Sequence, residues 1–390
     1  MNDTEPVLSQ YFHAKGAKLG LPVAGNFELT PRCNFNCKMC YVHLSKEETE
    51  RRGRELTADE WLGFAETARS KGLIFLLLTG GEPLIRPDFE YIYRQLQKMG
   101  IMVSLNTNAS LIDDDLFAFF KKNPPMRFNI SLYGTSEDTY EALCGNRSYE
   151  KVINNIRRLH DAGMAVKLNV LFGPSNVNDM EAIRRISEEV SIPIKPTTYL
   201  YPPVRVSADD AGENKARFSP DKAAMYELIC DKARFDHETF VKRTAAICRG
   251  IKSAPSDEEC DGVITREGIT CRAGRSSFWM TWDGRMMPCG MMLEPVTYPL
   301  KEGFDAAWSR LLKETERILM PKECTVCSYR HACHVCAASA YAETGRFDGK
   351  PQYVCDMVHE MVRLYGEEYK EFENNGDLER YAKEVVQNEN

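Results

Sequence analysis

Long apolar runs are missing from this 390-residue chain. The longest uncharged one, Leu73 to Leu78, spans six residues, against the roughly 20 that a membrane-crossing helix needs. The N-terminus lacks an apolar block as well: Met1 to Ser9 includes Asp3 and Glu5, so no signal peptide is read and a cytoplasmic location is expected. A basic excess is also absent. Lys and Arg number 50 against 57 Asp and Glu, a net charge of −7, which argues against a nucleic-acid-binding surface. No internal repeat or low-complexity segment is found. Hydrophobic residues at 43% and charged ones at 27% exclude wholesale disorder. Cysteine is too sparse for a disulfide scaffold: 14 residues, about 4% of the chain, against the roughly 8–10% of such folds. In a reducing compartment clustered thiols instead bind metal or do chemistry.

The cysteines that are present are clustered. Three lie at 33, 37 and 40, and seven lie between 271 and 355. Between Cys40 and Cys271 they are sparse, and Cys144, Cys230 and Cys248 read as buried thiols. The intervening sequence alternates between two periods. Strands are predicted at 26–30, 73–78, 101–106, 126–132, 165–171 and 192–199, and helices at 57–71, 87–99, 113–122, 148–162 and 179–190. Thr57 and Glu60 form a capping-box signature, and Gly72 marks that helix's end. Six strands alternating with five helices imply βαβ units on a parallel sheet, an α/β fold. Past Tyr201 the texture shifts to a Pro-containing linker and a helix at 220–235, then to short segments broken by Gly, Pro and Cys. A charged helical tail follows from 357. The expected division is an N-terminal segment 1–25, a sheet-and-helix domain 26–205, a bridging region 206–265, a Cys-rich domain 266–360 and a tail 361–390.

Residues 33–40 read CxxxCxxC on a loop just after a strand. Three thiolates so close can hold one metal assembly. Structural zinc takes four protein ligands, so it would need a fourth, His43 being the nearest candidate. A [4Fe–4S] cluster held by three Cys keeps one iron open, as a catalytic centre requires. Gly80-Gly81-Glu82-Pro83 follows the second strand at once; taken alone it is a turn signal. Asn106-Thr107-Asn108 ends the third strand and Ser131-Leu132-Tyr133-Gly134 the fourth. All four signals sit at C-terminal strand ends, where parallel α/β folds build active sites.

Together these motifs resemble the radical S-adenosylmethionine (SAM) enzyme family, whose hallmark CxxxCxxC has an aromatic or apolar residue beside the last Cys, here Met39 and Tyr41. The resemblance implies a partial (β/α)6 barrel of the TIM type. It also implies that Cys33, Cys37 and Cys40 hold a cluster whose open iron binds SAM. Reductive cleavage of SAM would then give a 5′-deoxyadenosyl radical. Gly80, Gly81, Glu82 and Pro83 would meet the SAM amino group. Asn108 and Ser131 would lie near its ribose, or cap turns. Arg147 would fork onto its carboxylate, or simply be a solvated residue at a helix start.

The later cysteines read Cys271, Gly284, Cys289, a gap, then Cys324-x2-Cys327-x5-Cys333-x2-Cys336, and Cys355. They resemble the SPASM extension of radical SAM enzymes, apart from two residues rather than three between the last pair. By that resemblance Cys324, Cys327, Cys333 and Cys355 hold one auxiliary [4Fe–4S] cluster. Cys271, Cys289 and Cys336 hold a second, with an open iron or a ligand borrowed from Cys260. Two zinc sites are the alternative. SPASM relatives mostly modify peptides or proteins, so maturation of a ribosomally made peptide by crosslinking, epimerisation or oxidation is expected. Haem or cofactor side-chain modification remains open. Sulfatase maturation ranks below, because Pro288-Cys289 is followed by Gly290 rather than an Asp. A non-catalytic iron–sulfur carrier would explain the distal cysteines only. Expected partners are a peptide or protein substrate and a ferredoxin- or flavodoxin-type reductant; either a separate protein binds the leader peptide or the barrel mouth itself holds the substrate. The segments 278–292 and 199–205 are candidates for lining the barrel mouth.

Overall fold

The computed structural model describes residues 7–192, 194, 196–207, 211–253 and 267–381. Five parallel strands arise where the alternation places them: β1 (Ala24–Glu28), β2 (Phe75–Thr79), β3 (Met102–Thr107), β4 (Arg127–Ser131) and β5 (Val166–Asn169). They lie side by side in the order β5-β4-β3-β2-β1, with Phe27 opposite Leu78 and Leu78 opposite Leu105. Helices cross between them. The helix Ala58–Ser70 starts at the expected capping box, where the Thr57 hydroxyl accepts from the Glu60 amide and the Glu60 carboxylate accepts from Thr57 N. Its buried face sets Trp61 against Phe27, 4.7 Å between ring centres.

Two features of the sheet depart from expectation. Among the described residues the sixth predicted strand, 192–199, appears as two isolated parallel bridges, Leu168 with Ile194 and Leu171 with Thr197. Pro193 and Pro196 have no N–H to give a ladder. On the opposite edge the sheet gains two strands. β6 (Ser277–Met280) runs parallel to β1, Ala24 opposite Ser277 and Phe27 opposite Met280. β7 (Met286–Met287) turns back antiparallel on it, through a hairpin in which Gly284 sits at φ 86°. Four and two residues are too short for a period-2 signal, and most of 278–292 is core. Phe278, Met280, Met286, Phe304 and Trp308 join Phe27 and Trp61 in the principal apolar cluster.

Two smaller cores flank it. Leu228, Phe240, Val241, Tyr365 and Phe372 join the helices Pro220–Arg234, His237–Ser253 and Gln352–Asn374. Met292, Ile318, Met320, Val335, Val354 and Val358 form the core of the Cys-rich part. An unpredicted N-terminal helix, Val7–Leu19, is pinned where Trp308 Nε1 donates to Gly20 O, 2.8 Å. Among the described residues no helix is long and apolar enough to cross a membrane.

The turns after β1 and β2 are sewn together. Leu29 N donates to Thr79 O (2.9 Å), Gly81 N to Thr30 O (2.8 Å) and Glu82 N to Arg32 O (2.9 Å). A Cβ on Gly81 would stand 2.3 Å from Arg32 O, and Gly80 lies at φ 152°. The two glycines therefore admit the neighbouring turn. Gly81→Ala is expected to destabilise the fold by about 1–3 kcal/mol through overpacking. It should also push the Cys33 loop outward, seen as a lower melting temperature together with reduced iron uptake.

Candidate active site

A cavity of about 680 Å³ opens at the C-terminal ends of the strands. Its floor is the loop 33–40, laid across the sheet end by the sequence's turn chemistry. Asn36 N donates to Cys144 O (2.8 Å) and Lys38 N to Leu143 O (3.0 Å). Asn146 Nδ2 donates to Asn34 O, 3.2 Å. These bonds tie the loop to the C-terminal turn of the helix Glu137–Cys144. Cys33, Cys37 and Cys40 all line the cavity.

Backbone amides point at two of the three sulfurs. Cys33 Sγ accepts from Phe35 N at 3.3 Å, and Cys40 Sγ from His43 N at 3.2 Å and Val42 N at 3.5 Å. Burial pushes the Cys33 thiol up to about 12 and raises Cys40 as well. Cys37 is raised most by its hydrogen bond with the buried Cys144, then by burial. All three keep their protons at neutral pH, so a metal must displace them. His43, the candidate fourth zinc ligand, is not among the cavity's lining residues. Among the described residues no three His, Cys, Asp or Glu side chains are gathered as ligands of one ion.

Met39, Tyr41, Gly80, Gly81, Asn108 and Ser131 share this wall. Glu82 lies just behind it, fully buried. Its Oε1 accepts from Thr107 Oγ1 (2.9 Å) and Leu84 N (3.1 Å), and its Oε2 from Asn108 N, 2.7 Å. Burial raises this carboxyl to about 7, with those three donors acting against the rise. Pro83 opens the short helical turn Pro83–Ile85 and is buried below. Asn108 Nδ2 reaches Asn34 Oδ1 at 2.9 Å, which ties the third strand end to the cysteine loop. Arg147 is not brought to the cavity. Its side chain is 53% exposed and pairs with Asp138 and Glu141, 2.8 and 2.6 Å. Two acids one helical turn apart outcompete a distant site for it.

The roof comes from the Cys-rich part: Met291, Ala332, His334, Val354, Met357 and Met361. Of the two segments expected at the mouth, 199–205 contributes Tyr199, Leu200 and Tyr201, and 278–292 only Met291. Among the described lining residues there is no Lys or Arg, and Glu227 is the one carboxylate. The distal thiols fall into two neighbourhoods. Cys324, raised by burial to about 11, is raised further by Cys355, Cys333 and Cys327. Cys289, likewise about 11 by burial, feels Cys336 and Cys271. Cys260 lies outside the described residues.

Sequence reading missed three buried contacts that frame the cavity. Tyr199 donates to Glu343 Oε1 (2.8 Å), which also takes Arg217, 2.7 Å. The Tyr201 hydroxyl stands 4.0 Å from Cys336 Sγ. Arg205 pairs with Glu28 at 2.8 Å, their side chains 7% and 0% exposed. Partners 126 to 177 residues apart leave no local pattern to find.

Comparison with known proteins agrees with this geometry. The radical SAM superfamily profile matches residues 27–186. An AdoMet-dependent heme synthase of Methanosarcina barkeri is 25% identical, over 82% of this chain and 93% of its own length. A probable GTP 3′,8-cyclase of Saccharolobus solfataricus is 34% identical, over 42% of this chain and 52% of its own length. The crystal structure of Streptococcus suis SuiB bound to precursor peptide SuiA superposes with a TM-score of 0.62 at 16% identity, covering 91% of this chain and 83% of that one. The matched segment is the one whose strand ends carry the three-thiol loop, and over that segment the chain is similar to the radical SAM superfamily.

Proposed function

We propose that the protein cleaves SAM reductively at the Cys33–Cys37–Cys40 loop and uses the resulting radical to modify a peptide or protein substrate. The observation that carries this is the shared cavity: three thiols on its floor, two glycines and Asn108 on its wall, and an apolar Met- and Val-rich roof. The donor set fits a cluster: the three thiols face one space and backbone amides aim at two of the sulfurs. When bound, a [4Fe–4S] cluster supplies the electron that splits the SAM sulfonium into methionine and a 5′-deoxyadenosyl radical. The chain's own part is to bind, orient and shield. Gly80 and Gly81 present backbone beside the thiol loop. Asn108 and Ser131 offer polar atoms at neighbouring strand ends. The apolar roof keeps water from a reactive intermediate. Cys271, Cys289 and Cys336, with the group around Cys324, serve as auxiliary cluster ligands in this reading.

The peptide reading draws on the shared architecture with SuiB, which was seen with its precursor peptide. A tetrapyrrole is the second reading, favoured by the near full-length likeness to a heme synthase. Against it, the described wall offers no cation to propionate groups.

Anaerobically reconstituted protein with SAM and dithionite is expected to form 5′-deoxyadenosine, read by chromatography, while Cys37→Ala forms none and keeps its distal iron. Turnover should rise with a pool of Cys- and Ser-containing peptides and not with a propionate-bearing porphyrin. The reverse preference would overturn the peptide assignment, and no product under either condition would overturn SAM cleavage.

Glu82 makes a separate prediction. Its folded value of about 7 exceeds the ordinary 4.5. Between those values the unfolded chain has already lost the proton that the folded chain retains. Stability therefore falls as pH rises from about 4.5 to about 7, by on the order of 3 kcal/mol in all. Glu82→Gln should flatten that part of a melting-temperature-against-pH profile.

A further inference from the structure

In the function proposed above, each SAM cleaved consumes one electron from outside the chain. The active-site cavity is occupied by the reactants in that reading, so the electron needs another face. A second cavity, of about 640 Å³, offers one. Arg205 lines it, and the Arg205 guanidinium stands 6.0 Å from the ring of Tyr41. Tyr41 follows Cys40 and lines the active-site cavity. Arg205 Nη1 also donates to Gly290 O, 3.1 Å, the residue after Cys289. One side chain therefore separates this second cavity from the thiol loop and from a distal thiol segment.

The two cavities differ in charge. The described lining of the first has no Lys or Arg. In the second, Arg52, Arg54, Arg205, Arg285 and Lys301 stand against a single carboxylate, Asp283, on a chain whose net charge is −7. Three of these cations are neutralised locally: Arg54 by Glu60 at 2.6 Å, Arg205 by Glu28 at 2.8 Å and Arg285 by Asp283 at 2.8 Å. Arg52 and Lys301 are exposed and pair with no carboxylate among the described residues. Arg52 Nη2 donates to Val206 O, 2.8 Å, and the Lys301 ammonium lies 5.0 Å over the Tyr298 ring. Beside them Tyr298 and Leu300 are 38% and 48% exposed. Exposed aromatic and aliphatic side chains next to Arg are the mixture that protein interfaces favour. Two uncompensated cations select a partner of opposite charge and speed its approach.

We propose that this second cavity is the docking face of an acidic one-electron carrier protein, which delivers its electron through the Arg205 wall. This rests on the function proposed above, in which the thiol groups hold clusters. In the step, one electron leaves the reduced carrier and enters a thiol-held centre. The carrier ends oxidised by one electron, and no bond forms or breaks. Arg52 and Lys301 attract the carrier, and Tyr298 and Leu300 bury against it once it is seated. Neither cation touches a reacting atom, so a small reductant bypasses both.

The test measures binding of a labelled flavodoxin, and separately a labelled ferredoxin, to the iron-loaded chain by fluorescence anisotropy. Stopped-flow reduction of the chain by each reduced carrier accompanies it. In wild type the dissociation constant is expected to rise with salt. Arg52→Glu and Lys301→Glu should each weaken binding roughly tenfold or more, slow reduction in step and flatten the salt dependence. Lys98→Glu makes the same charge change on an exposed residue outside this lining, and should leave binding within about twofold. Dithionite-driven formation of 5′-deoxyadenosine should be unchanged in all three variants, which also shows that each is folded and iron-loaded. Three results overturn the docking face and leave SAM cleavage standing: neither carrier binds wild type, both bind the Arg52 and Lys301 variants as well as wild type, or Lys98→Glu weakens binding as much as they do. A polyglutamate peptide that binds here when neither carrier does would reassign the face to an acidic peptide. Wild type that forms no 5′-deoxyadenosine with dithionite overturns the underlying reading instead.

Discussion

Everything chemical in this molecule hangs from β1. It is the strand that joins the N-terminal strands to the C-terminal hairpin, with β2 on one side and β6 on the other. Its ladder on the β2 side continues past the strand end through Leu29, Thr30 and Arg32 into the glycine turn. That extension fixes where the chain leaves the sheet, and so where the thiols of Cys33, Cys37 and Cys40 come to lie. On the other flank, β1 draws the C-terminal third of the protein against the principal core. The roof of the cavity and the floor are then positioned by one strand. The site is a seam between two Cys-rich segments rather than a pocket within either.

The seam explains the cavity's electrostatic character. Its buried cations are turned away from the interior space. Arg217 is held by Glu343 and stacks 3.7 Å over the Tyr353 ring, and Arg205 is held by Glu28. What faces inward is sulfur, amide, hydroxyl and hydrocarbon, with the Glu227 carboxylate and the His334 imidazole. Such a lining strengthens whatever charge enters it, because little in the wall can screen it.

The sequence was most legible where local rules are strong. The Thr57–Glu60 box, the apolar run 73–78 and the glycine at helix ends each specify an element through neighbours a few residues away. The two cysteine groups were legible too, because spacing alone separates a tight triplet from a dispersed set. Illegible were the contacts made by single residues across long loops. Nothing near Arg205 announces Glu28, and nothing near Phe278 announces Gly25 and Phe27. The turn glycines were half legible: Gly80-Gly81 marks a close approach, but not that the backbone arriving there is Thr30 to Arg32. Arg147 shows the opposite hazard. Its residue type suits a carboxylate, yet Asp138 and Glu141 meet it first.

The pairing of β1 with β6 also has a bearing on how the chain is made. Asn26 donates its side-chain amide to Phe278 O, a contact across 252 residues of sequence. At about 5–20 residues per second, a ribosome delivers β6 on the order of 10–50 s after β1. For that interval β1 presents an unpaired edge and the apolar face of Phe27. An edge of this kind invites pairing with other chains. Early docking of helix Ala58–Ser70, which sets Trp61 against Phe27, covers that apolar face during the interval but leaves the edge itself open.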